Sequence, residues 1–148
     1  MKRSFFKKKQ SKPLKRSPLR KKGKSNISKL KRELWQLFSL YIRQRDKFTC
    51  VTCGKKGEGS GIHAGHYITK SVGGLALYFH EDNVFAQCYR CNIHLSGNWT
   101  AYREFILRKF GEEKEKELLA LKNQITKWTE QDYLGKIAFY KAKLGGDK

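Results

Sequence analysis

Two Cys-x-x-Cys pairs, Cys50-Val51-Thr52-Cys53 and Cys88-Tyr89-Arg90-Cys91, constrain this chain more than any other feature. Two residues between thiolates let both sulfurs reach one tetrahedral Zn²⁺ at about 2.3 Å, so the spacing predicts a single closed four-cysteine site. Such a site is saturated and does no chemistry. Its role is to join a knuckle to the first turn of a helix and hold the intervening segment in register. The 148 residues suffice for one domain, and a hydrophobic content of 39% allows only a small core, so a staple is expected. No signal-peptide-like apolar leader and no membrane-spanning apolar run is evident, which places the thiols in a reducing cytoplasm and favours zinc over disulfides.

The formal charge of +20 argues against a neutral small-molecule enzyme and for a polyanionic partner, with nucleic acid first. Binding to duplex DNA should weaken steeply with salt, by about 0.9 log units per log unit of salt for each phosphate neutralised. Residues 1–26, which include Lys12-Pro13-Leu14-Lys15-Arg16-Ser17-Pro18-Leu19-Arg20, have no hydrophobic period and read as a disordered basic arm that grips phosphates without sequence preference. Residues 27–148 are expected to form the folded domain.

Within that domain, Leu30, Leu34, Leu37, Phe38, Tyr41 and Ile42 have helical spacing, with Ser28 or Asn26 as the cap, an end near Arg45-Asp46 and Trp35 off the main stripe. Phe48 to Gly54 reads as a short strand entering a knuckle in which Gly54 takes a positive φ. Ile62 to Thr69 has strand-like composition, Gly73-Gly74 reads as a turn, and Leu75 to Phe79 is a second apolar run. A short helix is expected from Asn92. Tyr102, Phe105, Ile106 and Phe110 define a helix stopped by Gly111, and Leu118, Leu119 and Leu121 are expected to face inward from the acidic segment after it. Thr129 and Asp132 resemble a capping box that opens a last helix carrying Tyr133, Ile137, Tyr140 and Leu144. The fold class is therefore α+β, with a small zinc-bound core flanked by helices.

His66 follows Gly65 inside the zinc-framed segment. A neutral imidazole with an unperturbed pKa near 6.5 can take a proton from a water attacking phosphorus, although a lone histidine is more often structural. Taken together, Cys50-x-x-Cys53, Gly65-His66-Tyr67, Asn83, Cys88-x-x-Cys91-Asn92 and Ser96-Gly97-Asn98, preceded by Arg43-Gln44-Arg45-Asp46, resemble the NinG/Rap family of lambdoid phage recombination proteins. The likeness extends over about residues 35 to 140. More loosely, the order of motifs is similar to the HNH, or ββα-metal, nucleases and to phage endonuclease VII, which implies a treble-clef core.

The resemblance implies a structure-selective endonuclease acting on Holliday junctions and other branched recombination intermediates. It implies His66 as general base, Asn92 as a ligand of a catalytic Mg²⁺ or Mn²⁺, Asn83 as the residue that pins the loop, and Cys50, Cys53, Cys88 and Cys91 as the structural zinc site. His94 is a further candidate for the catalytic metal or a phosphate. One departure stands out: many HNH enzymes carry a metal-binding Asp directly before the catalytic His, and here that position is Gly65. His63 is the nearest substitute, but its odd separation from His66 puts the two on opposite faces of a strand unless Gly65 forms a bulge.

Lys70, Arg90, Arg103, Arg108 and Lys109 are candidates for backbone phosphates, each also readable as an ordinary surface charge. Trp99 and Tyr102 are readable as base-stacking groups or as core. Symmetric junction cleavage needs two active sites, so a homodimer is expected, with Leu118, Leu119, Tyr133, Ile137 and Tyr140 as either its interface or the monomer's core. The rival reading is a non-catalytic zinc-dependent nucleic-acid-binding accessory protein; His66 and Asn92 separate the two.

Overall fold

The computed structural model describes residues 26–145, so the expected basic arm lies outside the described residues except for Asn26, which begins a helix. Helix α1 (Asn26–Arg45) leads into the first cysteine pair. Strand β1 (Ile62–His66) and helix α2 (Lys70–Tyr78) follow, and strand β2 (Val84–Cys88) then returns antiparallel to β1. A π-helical turn at Arg90–His94 carries the second cysteine pair into α3 (Trp99–Ala120), and α4 (Glu130–Gly145) closes the described chain. This is a mixed α+β architecture built on one two-stranded sheet. No helix among the described residues is long and apolar enough to cross a membrane.

Two expectations need correction. The apolar run from Leu75 belongs to α2, which is interrupted at Gly74 (φ 54°): Leu75 and Tyr78, three residues apart, pack toward α1, while Leu77 packs toward α3. Leu119 is exposed while Leu118 is buried, since one face of α3 packs inward and Leu119 lies off it. The helical break at Gly111 (φ 81°, ψ 175°) is a kink within α3, and the second acidic segment continues beyond it. At the start of α4, Thr129 N donates to Asp132 Oδ2 at 2.7 Å and Asp132 N donates to Thr129 Oγ1 at 3.3 Å, the reciprocal bonding the sequence suggests.

Three small cores replace one large one. Leu34, Phe38 and Ile42 of α1 meet Tyr133, Ile137 and Tyr140 of α4, together with Phe79 and Val84. Tyr67, Ile68, Leu77 and Phe85 pack on Tyr102, Ile106 and Leu118 of α3. The cysteines form the third with Ile62 and Ala86. Four of the five residues considered for a dimer interface are thus buried within the chain itself.

The two cores around the sheet meet on β2, whose five residues are all buried. Its outer edge is closed by the end of α1 and by the knuckle. Asp46 Oδ2 accepts from Ala86 N at 2.7 Å, Val51 N donates to Ala86 O at 2.9 Å, and Arg45 Nη2 donates to Val84 O at 2.9 Å. Arg45 also pairs with Asp46 at 2.8 Å. The Arg-Gln-Arg-Asp run therefore works as a clamp that satisfies the backbone of a buried strand.

Candidate metal centre and cleft

Chain segments far apart in sequence bring the four cysteines together. The knuckle turns at Gly54 (φ 73°), and Gly54 N donates to Cys50 O at 2.8 Å. The second pair sits at the end of β2 and in the π-turn. All four sulfurs lie within 4.8 Å of one another, the arrangement a tetrahedral metal site requires, so these residues could hold a metal such as zinc. Cys50 is buried, which opposes its ionisation, but hydrogen bonding from Thr52 Oγ1 and from backbone groups of Cys88, Thr52 and Cys53 outweighs burial and brings the thiol down to about 6. At Cys53 a backbone bond from Lys55 favours the thiolate, yet burial and crowding by Cys50, Cys91 and Cys88 push the thiol up to about 12. One sulfur in this cluster ionises readily and the next resists, which is the charge problem that a shared cation removes.

The segment framed by these cysteines presents its polar groups on two faces of β1. Pairing runs without interruption from Ile62↔Cys88 to His66↔Val84, so the strand has no bulge at Gly65. His63 and His66 consequently point to opposite faces. On one face the ring of His63 reaches the π-turn, where its Nδ1 lies 3.0 Å from Asn92 Nδ2. Tyr89 stands edge-on to the same ring at 5.6 Å. His63 and Asn92 line a cleft of about 420 Å³ with Trp35, Arg43 and Lys70.

On the other face His66 is stacked on Trp35 of α1, with ring centroids 5.4 Å apart and planes 14° from parallel. Its Nε2 donates to Tyr78 O at 3.0 Å. Burial pushes the imidazole down to about 4; the bond to Tyr78 opposes that shift and Lys70 adds to it. His66 is therefore neutral above that range, and the Tyr78 carbonyl fixes its tautomer with Nδ1 as the acceptor. Trp35, whose position off the α1 stripe pointed to a partner elsewhere, is shared by the cleft and this stack.

Buried amides hold the framework. Asn83 is fully buried; its Oδ1 accepts from Ile68 N at 2.8 Å, and its Nδ2 donates to Ile68 O at 3.1 Å and Leu77 O at 3.0 Å. It ties the end of β1 and α2 to the start of β2, so its place is in holding the loop and not in touching a reacting atom. Gln87, opposite His63 in the sheet, was missed in the sequence. Its only sequence signal is a polar residue inside an apolar strand. Gln87 is also fully buried, and its Nε2 donates to Gly97 O at 2.7 Å. Its Oε1 has no hydrogen-bond partner among the described residues, a position that ordinarily costs about 1–3 kcal/mol.

The remaining candidates disperse. His94 is exposed, its ring 5.1 Å from Tyr89, and lines a separate basic hollow with Lys55, Lys56 and Arg90. Arg103 donates through Nε at 2.7 Å and Nη2 at 3.0 Å to Glu115, which also accepts from Tyr67 Oη at 2.6 Å. That guanidinium serves an internal carboxylate and is not a free phosphate ligand. Lys109 lies over Phe85, Phe105 and Phe110, between 5.2 and 5.7 Å from their ring centroids. Arg108 is exposed, and Lys70 sits at the cleft. Of the two aromatic candidates, Tyr102 is core and donates to Gly65 O at 2.8 Å, whereas Trp99 is 58% exposed.

A family model described as "Bacteriophage Lambda NinG protein" matches residues 2–146. The chain is 34% identical over 110 residues to "Protein ninG" of Escherichia phage lambda, an alignment covering 74% of this chain and 52% of that protein. It is 34% identical to "Protein ninG" of Escherichia phage 933W and 32% identical to that of Salmonella phage P22, each over 74% of this chain and 53% of the relative. The chain thus spans about half the length of these curated relatives. No solved structure matches.

Proposed function

The chain belongs to the NinG family of lambdoid phage proteins, and from that premise we propose that it is a structure-selective endonuclease cutting branched recombination intermediates by metal-assisted phosphodiester hydrolysis. In this reading β1, β2 and the π-turn leading into α3 form an HNH-like core stapled by zinc on the four cysteines. The observation that carries the reading is the meeting of His63 and Asn92, 29 residues apart in sequence, at 3.0 Å in a cleft edged by Arg43 and Lys70. An imidazole nitrogen and a carboxamide are ligand types that a divalent metal accepts, and a buried oxygen without a partner among the described residues, Gln87 Oε1, lies on the same face of the sheet. The residues therefore fit Mg²⁺ or Mn²⁺, which commonly keeps several waters and takes substrate phosphate oxygens.

His63 and Asn92 would hold the metal. When bound, it stabilises the charge that develops on the phosphate and the leaving oxygen. His66 is the base of this reading, kept beside the cleft by Trp35, which stacks on it and also lines the cleft: its Nε2–H donates to Tyr78 O, leaving the Nδ1 lone pair to accept a proton from the attacking water. Trp35 holds that ring in place by stacking. Arg43 and Lys70 draw the phosphate backbone into the cleft, and the basic arm adds affinity without sequence preference.

The deciding experiment compares a four-way junction with linear duplex, in Mg²⁺, Mn²⁺ or EDTA, using zinc-loaded protein. Metal-dependent cutting of the junction is expected, and His66→Ala should lower it by about 10²- to 10⁴-fold with zinc content unchanged. Junction binding without metal-dependent cutting would favour the accessory-protein reading. Full activity in His66→Ala would remove His66 from the mechanism.

A further inference from the structure

The residue before His66 is Gly65, so no side chain at that position can reach a metal. The space above Gly65 is nevertheless filled. A Cβ built there would collide with Gln87 Oε1, and it would stand 3.0 Å from Gln87 Cδ and 3.2 Å from Asn92 Oδ1. Two carboxamide oxygens thus converge on the point where a Gly65 side chain would begin. The orientation of Gln87 is not free. Gly97 O can only accept, so Nε2 must face it, and the oxygen is turned toward Gly65 and Asn92. Gln87 is fully buried, and this oxygen finds no donor among the described residues.

We propose that Gln87 Oε1 is a ligand of the divalent metal site beside Asn92 and His63, occupying from β2 the place that a side chain at position 65 would take from β1. The inference rests on the reading of this cleft as a metal-dependent nuclease site. It explains two features together: why a glycine stands at 65, and why a buried amide oxygen is left without a hydrogen-bond donor. It also fixes the character of the site. Asn92, Gln87 and His63 contribute no negative charge, and no carboxylate among the described residues lines the cleft. The metal must therefore obtain its charge compensation from substrate phosphates, so metal and DNA should bind cooperatively.

The test is Mn²⁺ binding by the zinc-loaded full chain, read from the loss of the free-ion paramagnetic resonance signal, with and without a phosphorothioate junction that resists cleavage. The wild-type protein should take up Mn²⁺ more tightly with the junction present. Gln87→Ala should weaken that uptake by about 10- to 100-fold while zinc content is kept. Gln87→Met, which fills the same volume without an oxygen, replaces the alanine variant if the latter does not fold. Gly65→Asp alone should be destabilised by collision with Gln87. Gly65→Asp/Gln87→Ala should regain Mn²⁺ affinity and, having acquired a carboxylate, depend less on the junction.

Wild-type uptake together with undiminished uptake in both Gln87 variants would overturn the ligand role and leave Gln87 as a structural amide satisfied by water. A double variant no better than Gln87→Ala would do the same. If the wild-type protein takes up no Mn²⁺ in either condition, the metal-dependent nuclease reading falls and this proposal falls with it.

Discussion

The cysteine cluster and the His63–Asn92 cleft adjoin the same end of one short hairpin, where Ile62 pairs with Cys88 and His63 with Gln87, yet they are built on opposite principles. The cluster uses four like side chains, each able to carry charge, delivered by two short motifs that the knuckle's bonding to β2 brings together, with the sulfurs within 4.8 Å of one another. The cleft uses unlike groups, none of them anionic, contributed by β1 and the π-turn, and strand register places them. A set that can become anionic attracts a cation by itself and can therefore staple a fold whose hydrophobic cores are small. A set without negative charge cannot, and must be placed in advance by the rest of the structure. Removing metal from the first region should cost the fold, whereas damage to the second should cost function and local order.

The largest effect expected from this contrast is at the cluster. Cys88→Ser, or stripping the metal with a strong chelator, should abolish cooperative thermal unfolding, because Cys50, Cys88 and Cys91 are buried and join β2 to the knuckle and the π-turn. Zinc per chain, measured colorimetrically, and near-ultraviolet circular dichroism would follow the loss. A chelated protein that kept its dichroism and a sharp transition would contradict the staple role.

A smaller effect is expected at Asn83, which holds the loop between the strands without touching either candidate metal site. Asn83→Ala removes three hydrogen bonds to buried backbone groups. At about 1 kcal/mol for each bond, plus the cost of leaving those groups unpaired, destabilisation of about 3–5 kcal/mol follows. Zinc should remain at one per chain. Loss of zinc in this variant would mean that the two regions are one cooperative unit, and the contrast drawn above would fail.

The same contrast explains what the sequence could reveal. The α1 stripe, the capping box of Thr129 and Asp132 and the cysteine cluster were legible because each depends on local spacing. The helical nature of Leu75–Tyr78 was hidden because Gly73-Gly74 looks like a turn, and neighbouring packing carries the helix past the break at Gly74. His63 and Asn92 were both visible as residues, but their meeting depends on an uninterrupted register that sequence could not fix against a bulge. Gln87 was invisible for a related reason: its role follows from Gly65 standing beside it across the sheet and Gly97 orienting its amide.

The smallest effect concerns His66, which belongs to neither candidate metal site directly and so tests whether the aromatic packing behind the cleft is dry. In the folded protein burial holds its pKa at about 4, against about 6.5 when unfolded. Between those values the unfolded chain binds a proton that the folded chain does not, so lowering the pH favours unfolding. The penalty is absent above about pH 6.5, grows as pH falls, and levels off near pH 4 at no more than about 3 kcal/mol. His66→Phe keeps a ring against Trp35 and cannot titrate, though it leaves Tyr78 O without its donor. That loss is independent of pH. Denaturant unfolding of both zinc-loaded proteins from pH 7.5 down to 4.5 should therefore show a stability difference that shrinks or reverses in the variant's favour as pH falls, since any acid weakening of zinc is common to both and cancels. A difference that stays constant over this range would mean that His66 takes up its proton in the folded state as readily as in the unfolded one. Its ring would then be open to water, and the neutral imidazole proposed as the base would no longer be held in the protonation state on which the mechanism depends.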